Sequence, residues 1–294
     1  MDNWILVVLI GVLSSGCVSS QIVPREDVLR SMRTISVVPV ESPPLVLHPN
    51  TEKDRTAIIA TMKSATGPAA AIAPGASGPG TSLAQLAAPL GLAPPVGLRK
   101  GANIVVAVGG IVMLLEAASS GKEVPGEVGA VVIDHPSETW VPSIEYAKMA
   151  VLALQQREYR DVRMIDGYTR LPIADRSVTW HLENWLAPIR RWYNSDISTV
   201  DYASLGSAKA DTVLEVGVSN YEYASERLLL QVWVKLIDPR TKQVLGRARS
   251  YEMSTAQPLA PLLQNDAEGM KRLVLEMGNR LLANCLADVG LASR

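Results

Sequence analysis

Cys17 and Cys285 are the only cysteines of the chain, and with His48, His135 and His181 they make up its whole supply of thiol and imidazole. The histidines stand far apart, without HExxH or the paired Cys/His spacing that brings zinc ligands together, so they read as surface or loop residues. Asp134-His135, after an apolar run, is the nearest acid–base pair. No nucleophile or second carboxylate is placed to complete it, and Asp and His before Pro136 are turn formers. No G-x-S-x-G elbow, phosphate loop or dinucleotide fingerprint occurs, since the glycines of 75–80 lie in a Pro-rich stretch and not at a strand-to-helix turn. The expectation is a protein that is not an enzyme and holds neither a metal nor a diffusible cofactor.

Cys17 has a context of its own. Residues 4–13 are an unbroken apolar run of about ten residues, the length of a signal-peptide core and far short of the ~20 needed to cross a bilayer. The run ends in Ser14-Ser15-Gly16-Cys17, which resembles the lipobox of bacterial lipoproteins, with Leu13 one place further from the cysteine than is usual in that motif. The resemblance implies that 1–16 is a signal peptide and that Cys17 carries a covalent lipid, which anchors the chain in a membrane. Val18 stands where an Asp would imply retention at the inner membrane, so the periplasmic face of the outer membrane is the implied location. An ordinary secretory signal and a buried N-terminal helix remain alternative readings of the same run. In an oxidising compartment a Cys17–Cys285 disulfide is also open. Cys285 lies among Leu281, Leu282 and Leu286 on a predicted helix, the setting of a small buried hydrophobe.

Composition narrows the partners. With a net charge of -1 and only 19% charged residues, the chain has no sequence-wide basic field, so nucleic acid is not expected as a partner. Phe is absent, so aromatic packing falls to Tyr and Trp, each with a polar atom that needs a partner or a wet edge.

The elements follow from periodicity. Residues 24–33 read as a short helix with Val28, Leu29 and Met32 on one face. Residues 34–40 read as a strand closed by Pro39 and Pro43-Pro44, lying near a sheet edge or ending at Val38. From 64 to 98 there is no charged residue and Ala, Gly and Pro dominate, the composition of an insertion and not of a core element. Residues 102–115 form an apolar run around Gly109-Gly110. It reads as a buried helix or strand pair, or else as a membrane-contacting or self-associating segment with Arg99-Lys100 as an interfacial anchor. A short strand is expected at 128–133.

Ile144, Ala147, Val151 and Leu154 mark a helix over 142–156, and 162–166 a following strand, together a crossover unit. Val178, Leu182, Trp185, Ile189 and Trp192 form the stripe of an amphipathic helix that Pro188 should bend or shorten. Trp185 and Trp192 suit a core, and are equally candidates for a partner-binding surface. Strands at 210–218, 228–237 and 243–250, turning at 238–242, make a meander. A last helix over 266–287 carries Met270, Leu273, Val274, Met277, Leu281 and Leu282, despite Gly269 and Gly278.

The stretch Ala210-Asp211-Thr212-Val213-Leu214-Glu215-Val216-Gly217, followed by Val232-Trp233-Val234-Lys235-Leu236-Ile237-Asp238-Pro239-Arg240-Thr241-Lys242-Gln243-Val244-Leu245, resembles a strand and hairpin of the curli secretion lipoprotein CsgG and the N-terminal domain of TolB. That resemblance spans about half the chain and implies a periplasmic domain serving envelope assembly, secretion or activation of a partner.

The resulting map is a signal peptide (1–16), a lipidated linker with a short helix (17–33), and an α/β (α+β) periplasmic domain over 34–294 interrupted by an insertion at about 50–127. That domain is expected to be a small mixed sheet with a C-terminal antiparallel meander packed by helices. Its expected role is a non-catalytic structural, assembly or partner-binding one in the cell envelope, with an envelope protein as partner. The alternative is an oligomeric secretion or pore component, a homo-oligomer touching the membrane through 102–115. Deleting 64–98 should leave the cooperative urea unfolding transition largely intact, and its loss would overturn this domain map.

Overall fold

The computed structural model describes residues 21–48, 104–108, 111–115, 140–157, 161–165, 168–173, 182–203 and 210–293. A short helix α1 (Glu26–Ser31) leads into strand β1 (Thr34–Pro39), and β2 (Leu45–His48) follows after Pro43-Pro44. The hairpin β3 (Ile104–Val108) and β4 (Ile111–Leu115) comes next. After it lie helix α2 (Pro142–Gln155), strand β5 (Asp161–Met164) and helix α3 (Leu182–Asn194). The chain closes with the meander β6 (Thr212–Ala224), β7 (Arg227–Ile237) and β8 (Val244–Met253), then helix α4 (Leu259–Asp288).

All eight strands form one mixed sheet. Its axis is β6, which pairs antiparallel with β7 from Val213 to Ala224. Along the other edge of β6, β1 pairs in parallel with the first half (Ile35 opposite Thr212) and β2 with the second (Val46 opposite Glu222). Beyond β1 lies β5, and beyond β2 lie β4 and then β3. The sheet is therefore mixed in the expected sense, and α2 is the crossover that brings β5 parallel to β1.

Several expectations are corrected. β1 does not end at Val38; it runs between β5 and β6, one strand in from the β5 edge, and so lies near an edge as expected. Pro39 is tolerated there because its missing N–H falls on the β5 side, beyond the last residue of that strand, while its carbonyl accepts from Thr169 N at 2.8 Å. Of the readings open for 102–115 the strand pair holds, as β3 and β4, so part of the 50–127 insertion supplies two strands to the sheet. β6 and β8 continue past the expected 218 and 250, and α4 begins at Leu259. Its added first turns carry Leu259, Leu262 and Leu263 into the core, with Asn265 and Ala267 at positive φ. The expected strand at 128–133 and the 64–98 stretch lie outside the described residues.

Strand alternation sorts β7 onto two faces. Leu228, Leu230, Val232, Val234 and Leu236 face the larger core with Leu214, Val216 and Val218, and α2 and α4 cover it with Tyr146, Ala150, Leu154, Met270, Val274 and Met277. Helices α2 and α4 meet where Gly278 stands under the Tyr146 ring, whose hydroxyl donates to the Val274 carbonyl at 2.8 Å. A Cβ on Gly278 would lie 2.1 Å from that ring. Gly278→Ala should therefore destabilise the domain by about 1–3 kcal/mol, the range for overpacking a filled site. Urea unfolding of the variant measures it, and an unchanged midpoint would mean that the two helices do not pack in this register.

Candidate functional site

The opposite face of the sheet gathers the polar side chains that a chemical reading would seek. Glu215 of β6 stands directly across from Lys235 of β7, and both are buried. Gly217, two residues along from Glu215 on the same face, leaves room for α3 to sit close: a Cβ there would be 3.0 Å from the Trp192 ring. Pro188 lies buried inside α3, which runs through it to Asn194. Trp185, Ile189 and Trp192 point from that helix into a second core with Val40, Leu171, Tyr193 and Trp233.

Each Glu215 oxygen has its own donor. The Trp192 indole N–H donates to Oε2 at 2.6 Å. The Tyr202 hydroxyl donates to Oε1 and lies 2.7 Å from Thr169 Oγ1. Lys235 Nζ donates to the Trp192 carbonyl at 2.7 Å and sits 5.4 Å from the centre of that indole. Next in the row, Arg247 donates to the Tyr193 carbonyl at 3.1 Å and pairs with Asp196 at 3.2 Å. A second buried carboxylate, Glu41, accepts from Leu171 N at 2.9 Å.

Burial pushes the Glu215 carboxyl up from its ordinary pKa, opposed by the Lys235 charge and by the Tyr202, Trp192 and Thr169 hydrogen bonds. Burial likewise holds Lys235 below the usual lysine value, opposed chiefly by the Glu215 charge. An acid or base must reach a substrate proton to act. Glu215, 1% exposed, spends both oxygens on protein donors. The arrangement ties α3 and the segment after it to the sheet.

Trp185 and Trp192, the candidate partner contacts, are thus at 1% and 8% exposure, inside the fold. Their stripe is legible in the sequence; the Glu215–Lys235 pairing is not, because it depends on a register that only the hairpin sets. Cys285 is buried, with Sγ 3.5 Å from the Val232 carbonyl, and burial pushes its thiol up. It is a free cysteine among the described residues. His48 ends β2 beside Glu222, 3.8 Å away. Cys17, Asp134, His135 and His181 lie outside the described residues, as does Val178. Among the described residues no group of three His, Cys, Asp or Glu could hold a metal, and no helix is long and apolar enough to cross a membrane.

No family model matches the chain, and no curated protein does. Among solved structures it is similar to the PelC dodecamer from Paraburkholderia phytofirmans (TM-score 0.29, 15% identity, over 50% of this chain and 75% of that one). The lipoprotein GNA1162 from Neisseria meningitidis aligns at TM-score 0.18 and 18% identity, over 38% and 76% of the two chains. The hypothetical protein CT253 from Chlamydia trachomatis aligns at 0.24 and 11%, over 47% and 88%.

The pH dependence of the buried carboxylate is testable. With its pKa raised in the fold, Glu215 keeps its proton to higher pH than in the unfolded chain, so its contribution to stability falls as pH rises through that window. Trp192→Phe removes a donor that favours the ionised form, and raises the pKa further. Its stability deficit, about 1.5–3 kcal/mol for a hydrogen bond to a charged group, should be larger at pH 8 than at pH 4 in paired urea titrations. A deficit independent of pH would mean that the indole contributes packing alone.

Proposed function

We propose that this chain is a lipid-anchored protein of the cell envelope, attached through a lipid on Cys17, whose domain has a non-catalytic structural or partner-binding role at the periplasmic face of the outer membrane. The observation that carries the reading is the position of the cysteine. The lipobox-like Ser14-Ser15-Gly16-Cys17 follows the apolar run directly, and Ile22, only a few residues later, already bridges to Arg247 of the sheet. A lipid at Cys17 thus tethers a domain that is already closed behind it. The polar cluster on the sheet supports the non-catalytic part, because its carboxylate and ammonium groups are bound within the fold.

A second reading, an oligomeric secretion or pore component, is favoured by one feature: the apolar hairpin Ile104-Val105-Val106-Ala107-Val108 and Ile111-Val112-Met113-Leu114-Leu115 extends the sheet with β3 outermost. One experiment addresses both. Expression of wild type and Cys17→Ser in a Gram-negative host, with metabolic palmitate labelling and membrane fractionation, should label the wild type alone, in the outer-membrane fraction. Absence of label would discard the anchor. A Cys17→Ser protein that stays soluble only in detergent would favour the second reading.

A further inference from the structure

We propose that the outer margin of the sheet around Tyr251 and Met253 is the surface this protein lays against the headgroup layer of the bilayer that holds its own N-terminus. The proposal rests on the reading of Cys17 as the lipidated residue.

The argument starts from where the chain enters the fold. Ile22 forms an antiparallel bridge with Arg247 on the outer edge of β8, through Ile22 N to Arg247 O at 3.0 Å and Arg247 N to Ile22 O at 2.9 Å. An antiparallel neighbour runs against its partner, so at Gln21 the chain arrives from the direction of the C-terminal end of β8, the end that carries Arg249, Tyr251 and Met253. Five peptide links separate Cys17 from Ile22, and at ~3.6 Å per residue they reach at most about 18 Å. Four residues of strand, from Arg247 to Tyr251, cover about 14 Å at ~3.4 Å each. The acyl chains therefore hold the end of β8 within one short tether of the lipid surface.

The surface at that end has interfacial chemistry. Tyr251 is 73% exposed and Met253 55%, the latter beside Leu229 on the neighbouring strand. Two guanidinium groups border them: Arg227 approaches the Met253 sulfur at 3.8 Å, and Arg249 lies over the Trp233 ring at 5.8 Å. Exposed aromatic and thioether groups with flanking arginines suit the boundary between water and acyl chains, where the ring sits at headgroup level and the cation stays wet. Glu222 and Glu226 lie on the same part of the sheet and its turn, so net positive charge is not the attraction.

The backbone fixes the depth. N–H and C=O groups alternate in direction along a strand, so those of Arg249, Tyr251 and Met253 point outward as those of Arg247 do, and among the described residues no backbone partner meets them. Unpaired backbone is excluded from hydrocarbon and is satisfied by water and lipid headgroups. The contact is thus superficial.

The full-length lipidated protein, in vesicles of phosphatidylethanolamine and phosphatidylglycerol, tests this. An environment-sensitive fluorophore is placed at Tyr251→Cys, and separately at Leu152→Cys on α2, which packs against the other face of the sheet; the buried Cys285 is left in place. Quenching by spin-labelled lipid should be severalfold stronger at position 251 than at 152. Equal quenching at the two positions, with the protein still floating with the vesicles, would overturn the proposal and leave the anchor standing. A shift at 251 that grows with protein concentration and resists the lipid quencher would place a second copy on this surface, and overturn it too. A wild-type protein that does not float would end the anchor reading, and the proposal with it.

Discussion

Strand β6 has only two edges, and the layout of the sheet follows from how they are shared. One edge is taken along nearly its whole length by β7. The other must serve β1 and β2 in turn, and the chain between them, Glu41-Ser42-Pro43-Pro44, has to break the ladder without leaving the edge. Two prolines do this because neither can donate to a partner strand. The register of β6 on β7 shifts between Val218 and Tyr221, the same interval in which its other edge passes from β1 to β2. A local twist there lets two halves of the sheet diverge, β5 extending one and β4–β3 the other. The helices α2 and α4 then have one continuous apolar face to cover.

The opposite face is held differently. Burying Glu215 and Lys235 costs solvation that their attraction offsets only in part, so the pair is a poor source of net stability compared with two apolar residues of the same volume. Direction is what the carboxylate adds. One oxygen binds the indole of α3 and the other the phenol of Tyr202, which also meets Thr169 near the end of β1. Apolar residues would let α3 slide along the sheet, whereas two charge-assisted hydrogen bonds from separate segments fix it in one place. Asp211 plays a similar part at the head of the sheet: its carboxylate accepts from Arg33 N at 2.9 Å and Thr34 N at 3.0 Å, locking β6 to β1 at their first residues. Burial there is outweighed by these bonds, and the carboxyl is held below its ordinary value.

What the sequence shows and what it hides divide along physical lines. Period-two alternation in 228–237 gives β7 and both of its faces, because each face is buried against a different layer. The apolar spacing of α2 and α4 is equally plain. Gly278 looks like a weakness in a helix until Tyr146, far away in sequence, is found lying on it. The end of β6 escapes for a different reason: its hairpin turns at Ser225-Glu226, both at positive φ, without the Asn or Gly that usually announces such a turn. The hairpin at 104–115 reads as strand or helix alike, since a short apolar run has no period to decide it. In the site, the Trp185–Trp192 stripe is visible, but its burial and its tie to Glu215 depend on which face of the sheet α3 chooses.

The free edge of β8 sets the remaining constraint. An exposed edge offers unpaired backbone to any passing strand, and proteins commonly cover or charge such edges. In this chain the first part of β8 is covered by Ile22 and by Pro24, whose ring fills the space beside Gly246. Further along, Glu252 is held by Arg280 of α4 at 2.6 Å, on the face away from Tyr251 and Met253. Among the described residues the protection thus stops where the large apolar side chains begin. Covering only the half of an edge next to the point of entry makes physical sense if the other half faces a surface that is not protein. On the proposed anchoring at Cys17 that surface is the bilayer, and the segment that closes one half of the edge would then be the one that brings the other half to it.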